Sequence, residues 1–251
     1  MRKITGQFLS VTFFIMLLCW GLCVACSLCG ITLSSTPLLY IPYLMGGLSP
    51  TVGSYVALRC NGGVSNFREW LKSIFDFRHT FGAYLLLPLF AGAFFLCLCG
   101  ISGYEPGASI FALVFMIPMM LFGGGLEETG WRGVLFPELE KSLGYTPATV
   151  VTAAVWWIWH LPLFFINGVS QCGGDFLAFG INVLGMSFAL SAIRKTTGST
   201  WLCVLFHCLI NSLHSVYIVN ENRFGSLIAA AALILVSMFL VSLQKRKALF
   251  P

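Results

Sequence analysis

Glu127 and Glu128 stand side by side in Gly123-Gly124-Gly125-Leu126-Glu127-Glu128-Thr129-Gly130-Trp131-Arg132, after an almost uncharged run over residues 110–126. An ionised group in hydrocarbon is costly, so it persists there with a partner or a task. On a helix Glu128 and Arg132 share a face, acid on the N-terminal side, the favourable order for an ion pair. Glu127 points about 100° away from that pair and so has no partner in its own helix. Its partners must come from elsewhere. Two apolar segments offer them: His160 in Trp156-Trp157-Ile158-Trp159-His160, and His207 with Asn211 in His207-Cys208-Leu209-Ile210-Asn211. The last pair lies four apart on one helical face. His214, a further turn along, reads as structural or rim-facing.

Glu127, His160, His207 and Asn211 together make a hydrolytic set. A carboxylate removed from water is a stronger base, so Glu127 can take a proton from water near neutral pH. His160 can hold or share that water. His207 and Asn211 form a donor pair for the oxyanion of a tetrahedral intermediate, whose charge develops only in the transition state. Cys208 adjoins His207 but points away from it on a helix, which makes a cysteine nucleophile the lesser reading. Two histidines and a glutamate also suit zinc, as in the His₂Glu sites of soluble peptidases. No HExxH occurs, and a carboxylate alone needs fewer assumptions, so the expectation is a site with no metal or cofactor and zinc as its rival. Each residue has a plainer use as well. Glu128 with Arg132 can simply hold the fold, and the histidines and Asn211 can bridge helices.

The elements that must position these residues are membrane helices. The chain has 251 residues, 58% hydrophobic and 9% charged, against about 25% charged in soluble domains. That composition predicts an all-α integral membrane protein, with residues 1–251 as a single polytopic domain and a catalytic core over about 109–219. The net charge of +5 carries no basic cluster interleaved with exposed aromatics, which excludes nucleic acid. Of the ten cysteines, Cys19, Cys23, Cys26 and Cys29 have ligand-like spacing, yet they fall within one apolar run. They read as small hydrophobes.

About eight spans are expected, over residues 8–32, 38–58, 81–101, from 109 to about 136, 147–166, 176–193, 199–219 and 225–243. The first is longer than the apolar core of a cleaved signal, about 7–15 residues. Residues 67–75 alternate at helical spacing, with Arg68 and Lys72 on the polar side, and predict a short helix on the membrane surface. Eight spans put both termini on one side. With both cytoplasmic, every lysine and arginine except Arg223 and the membrane-embedded Arg132 lies inside, as the positive-inside rule requires.

Glu127-Glu128-x-x-x-Arg132, Trp156-x-x-x-His160 and His207-x-x-x-Asn211, in that order on membrane segments, resemble the three motifs of the CAAX-protease and bacteriocin-processing (CPBP, or Abi) family. The resemblance covers residues 111–217. It implies a glutamate-dependent intramembrane endopeptidase, with Glu127 as general base, His160 assisting the water, and His207 with Asn211 as the oxyanion site. Glu128 and Arg132 match the accessory pair. Trp156 stands where the second motif commonly has phenylalanine, which keeps an aromatic wall and reshapes the pocket. The implied substrate is a peptide or a membrane-associated protein approached from the cytoplasmic side. The implied setting is a cell membrane, best a prokaryotic inner membrane. A non-catalytic bacteriocin-immunity or scaffold protein on the same fold is the alternative. A proton-coupled transporter is a third reading, weakened by the lack of an internal inverted repeat.

Overall fold

The computed structural model describes residues 3–220 and 222–249, with side chains through Gln244. Arg2 and the side chains of Lys245, Arg246 and Lys247, which the topology expectation uses, lie outside the described residues. A chain in lipid must satisfy its backbone internally, and a helix does so within one segment. The helices are α1 (Lys3–Leu28), α2 (Tyr40–Gly47), α3 (Ser49–Cys60), α4 (Phe67–Ile74), α5 (Phe81–Ser102), α6 (Leu113–Met119), α7 (Glu128–Gly130), α8 (Phe136–Leu143), α9 (Tyr145–Trp159), α10 (Phe176–Thr197), α11 (Thr200–Val216) and α12 (Arg223–Leu249). Among the described residues five segments are long and apolar enough to cross a bilayer: Lys3–Leu28, Phe81–Ser102, Tyr145–Phe165, Phe176–Thr197 and Arg223–Gln244. Ile110–Met119 and Thr200–Val216 are shorter apolar helices. The protein is a helical membrane protein.

The bundle is built around α10, whose apolar window is 67% buried against 28–44% for the other four long segments. Its backbone meets α12 directly, since a Cβ on Gly185 would lie 2.6 Å from the Cα of Ala230. Small residues permit such approach between membrane helices. Asp175 caps the start of α10, accepting from the N–H groups of Leu177 and Ala178 at 2.9 and 3.2 Å. Gly198, at φ +72°, ends it. Ser199 then accepts from the Leu202 N–H at 3.1 Å and opens α11. A left-handed stop followed at once by an N-cap turns the chain sharply, which makes α10 and α11 neighbours.

Two expected segments take another form, and a third packs against protein where a membrane surface is expected. Residues 38–58 are not one helix: a 3-10 turn Pro37–Leu39 leads into α2, and the chain breaks at Leu48 before α3. Pro50 has no N–H to continue the ladder, and Gly46-Gly47 weakens the turn before it. The expected loop at 103–107 and the end of the seventh span form two short strands, β1 (Tyr104–Pro106) and β2 (Tyr217–Val219), paired antiparallel with Tyr104 opposite Val219. Helix α4 forms with a capping box: Asn66 accepts from the Glu69 N–H at 2.9 Å, and the Glu69 carboxylate accepts from the Ser65 N–H at 2.7 Å. Its apolar face goes to protein rather than lipid. Trp70 and Ile74 are buried in a cluster with Val204 and Cys208 of α11.

Candidate active site

The glycine run decides where Glu127 sits. Helix α6 stops just after Pro118, and Gly124 takes φ +136°, a conformation L side chains rarely adopt. The Gly125 and Leu126 N–H groups donate back to the carbonyls of Met120 and Leu121 at 2.9 and 3.0 Å, closing a wide turn. The chain re-enters through a 3-10 turn, Gly125–Glu127, then α7, then a π-helical turn, Trp131–Leu135. Such π turns concentrate at functional sites. The Leu126 carbonyl, in the peptide plane joining it to Glu127, accepts from Thr51 Oγ1 at 2.9 Å and Thr129 Oγ1 at 2.7 Å. Two hydroxyls from two elements therefore fix the backbone at Glu127.

The two glutamates divide their work. Glu128 is 0% exposed and Glu127 retains 8%. Glu128 pairs with Arg132, whose Nη1 lies 3.1 Å from Oε2. It also accepts from His207, whose Nδ1 lies 2.9 Å from Oε1. Arg132 is itself 0% exposed, and its Nη2 donates to Ser187 Oγ at 2.7 Å. Glu127 turns to another helix, where its Oε2 accepts from Trp156 Nε1 at 3.0 Å.

Trp156 is the hub. Its ring lies 5.6 Å from the His160 ring and 5.5 Å from the His207 ring, centroid to centroid, and the Arg132 guanidinium carbon stands 4.7 Å above it. Glu127, His160, His207 and Arg132 thus all border one indole. His160, buried between Trp156, Trp159 and Phe179, places Nδ1 2.8 Å from the Trp156 carbonyl. A carbonyl only accepts, so Nδ1 carries the proton and Nε2 is the acceptor in the neutral ring. Asn211 Nδ2 donates to the Gly123 carbonyl at 2.9 Å, which occupies one of its two N–H bonds. A Cβ on Gly124 would lie 2.6 Å from Asn211 Nδ2 and 2.8 Å from His207 Nε2. Both polar atoms converge on that one point, and only glycine leaves it open.

The expected residues are brought together from α7, α9, α11 and the turns between α6 and α8. Glu128 has a second partner, His207, beyond the expected Arg132. His214 packs instead against Phe94 and Phe95. Cys208 lies against Gly125, whose added Cβ would sit 2.4 Å from its Sγ. Sequence reasoning missed Ser187 and Phe179, and no signal marks them, since each is one residue in an apolar helix with no distinctive spacing. Among the described residues no three His, Cys, Asp or Glu side chains form a group that could hold a metal ion. An apolar groove of about 620 Å³ between α5 and α11, floored by Leu209 and Leu213, includes none of these site residues.

Residues 109–213 match the family described as type II CAAX prenyl endopeptidase Rce1-like. CAAX prenyl protease 2 of Methanococcus maripaludis is 26% identical over 139 residues, covering 51% of this chain and 49% of that protein. The match thus spans about half the length of that relative. The family match contains the two glutamates, Arg132, Trp156, both site histidines and Asn211.

Proposed function

We propose that this chain, whose residues 109–213 match the type II CAAX prenyl endopeptidase Rce1-like family, is a glutamate-dependent intramembrane endopeptidase. The observation that carries the reading is the convergence of Glu127, His160 and His207 on Trp156, within 3.0 Å for the Glu127 bond. Water held by His160 Nε2 gives a proton to Glu127 Oε1 as its oxygen attacks the scissile carbonyl. His207 Nε2 and Asn211 Nδ2, gathered over Gly124, face the oxyanion. With its Nδ1–H given to Glu128, His207 can donate from Nε2 only when the ring carries both protons. The intermediate then collapses, the C–N bond breaks, and Glu127 returns its proton to the leaving amine. No metal enters these steps, because the carboxylate and the two imidazoles supply base, water ligand and oxyanion donor between them.

The substrate is a peptide or the end of a membrane-associated protein, taken from the cytoplasmic side of a cell membrane. The name of the archaeal relative makes a prenylated CAAX peptide the first compound to assay. Eight crossings with both termini cytoplasmic complete the reading. Cross-links support that arrangement: β1 pairs with β2, and Asp175 with Arg223, at the end proposed as outer. Lys195 pairs with Glu140 at the end proposed as inner. The test is proteomics of newly generated peptide ends in cells carrying wild type or Glu127→Gln. New ends present only with wild type support a peptidase. A phenotype that persists unchanged with Glu127→Gln, without new ends in either strain, supports a scaffold and overturns the proposal.

A further inference from the structure

We propose that Trp156 is a positioning residue that selects which oxygen of Glu127 acts as the base; this deepens the peptidase reading and rests on it. An indole carries one N–H and no acceptor. That single donor goes to Glu127 Oε2 at 3.0 Å, and the ring is 4% exposed, so no solvent competes for it. A carboxylate oxygen held this way has one lone pair engaged and its rotation about χ3 restrained. The other oxygen, Oε1, is left for water, with the Trp131 indole as a second neighbour of the carboxylate.

Two further contacts sharpen the role. The Arg132 guanidinium stands 4.7 Å over the same ring, and a cation over a π face draws electron density from it. The N–H becomes a stronger donor as a result. Helix α9 also delivers His160 one turn further on, and the His160 Nδ1 bond goes to the carbonyl of Trp156 itself. One residue therefore fixes the carboxylate through its side chain and the water-holding imidazole through its backbone. Base and water ligand keep a constant separation because both hang from Trp156. A phenylalanine at this position would keep a ring but has no N–H to give. The Glu127 tether is a property of this chain's own tryptophan.

Trp156→Phe tests this, since it keeps an aromatic ring at the site and removes the N–H. The account expects kcat to fall about 10- to 100-fold, the scale of one hydrogen bond to a charged group. It expects KM within about twofold, because the bond acts on the base rather than on substrate binding. Trp156→Phe placed on Glu127→Gln should slow the enzyme no further, since the tethered base is already gone. A wild-type kcat in Trp156→Phe, or a loss confined to KM, overturns the inference while leaving the peptidase reading intact. Full hydrolysis by Glu127→Gln alone overturns the peptidase reading itself. A readout independent of activity is the Trp156 indole N–H resonance in ¹⁵N-labelled protein in micelles, assigned by its absence in Trp156→Phe. It should move upfield in Glu127→Leu. If it stays in place, the bond is absent and the inference fails.

Discussion

His207 Nδ1 lies 2.9 Å from Glu128 Oε1, and the same carboxylate faces Arg132 Nη1 at 3.1 Å through its other oxygen. The second glutamate of the pair therefore joins an imidazole on α11 to a guanidinium on its own segment, with no exposure at Glu128 or Arg132. Removing one partner of a buried pair leaves an uncompensated charge. Glu128→Leu should lower stability by about 3–5 kcal/mol and release His207 as well. Thermal unfolding in detergent checks this, and an unchanged midpoint contradicts it.

Gly124 should tolerate no side chain. Gly124→Ala places a methyl group 2.6 and 2.8 Å from Asn211 Nδ2 and His207 Nε2, and it strains a backbone at φ +136°. The expected outcome is a loss of kcat of at least about tenfold together with a strain of about 1–3 kcal/mol. Gly144→Ala is the control. Its φ is also positive, at +77°, but a Cβ there meets nothing within 4 Å. That variant should lose some stability and keep its kcat.

Acid should selectively weaken the tie between Asp175 and Arg223, 2.7 Å apart. The Arg223 guanidinium, aided by the N–H groups of Ala178 and Leu177, holds the Asp175 carboxyl below the ordinary carboxylate range. Its contribution is fully present above the unfolded aspartate value of about 3.9 and is lost as pH falls through the lower folded value. Asp175→Asn keeps the cap and removes the charge. Its unfolding midpoint should lie below wild type at pH 7, and the two should converge in acid. A gap that persists at low pH contradicts the assignment. Added salt should also narrow the gap at pH 7, because the pair is exposed.

Chelation should leave hydrolysis intact. The proposed steps use the Glu127 carboxylate and two imidazoles whose Nδ1 atoms are already engaged, by Glu128 and by the Trp156 carbonyl. Activity assayed after treatment with a strong zinc chelator should match the untreated enzyme. Loss on chelation with recovery on adding zinc establishes the rival metal mechanism.

The side of each loop can be read with a membrane-impermeant thiol reagent. Cys60, exposed at the end of α3, should react from the cytoplasmic face, and Cys172, between α9 and α10, from the opposite face. Single-cysteine variants in vesicles of known orientation make the comparison. Both thiols reacting from one face contradicts eight crossings.

The residues of the candidate site could be picked out in the sequence, because ionisable and amide side chains are rare in apolar runs. Glu127, His160, His207 and Asn211 stood out for that reason. What they touch could not be read. The bond from Trp156 to Glu127 joins residues 29 apart, and Glu128's choice of His207 spans 79; neither follows from helical periodicity. The glycines at 123–125 signalled close approach, but not that the span would stop at Met119 and restart as a 3-10 turn. That form depends on the positive φ at Gly124 and on Thr51 reaching the Leu126 carbonyl from α3. Helix α4 was legible as an amphipathic helix, while its docking site was not. An apolar face looks the same in sequence whether it meets lipid or, like Trp70, the back of α11. The strand pair β1–β2 carried no alternating pattern long enough to see.

The most direct measurement is the rate at which purified, reconstituted protein hydrolyses a peptide substrate, compared between wild type and Glu127→Gln. Glutamine keeps the shape and can still accept from Trp156, but it cannot take a proton from water. The account predicts a fall in kcat of about 10²- to 10⁴-fold with the unfolding midpoint unchanged. A Glu127→Gln enzyme that cleaves at the wild-type rate contradicts it.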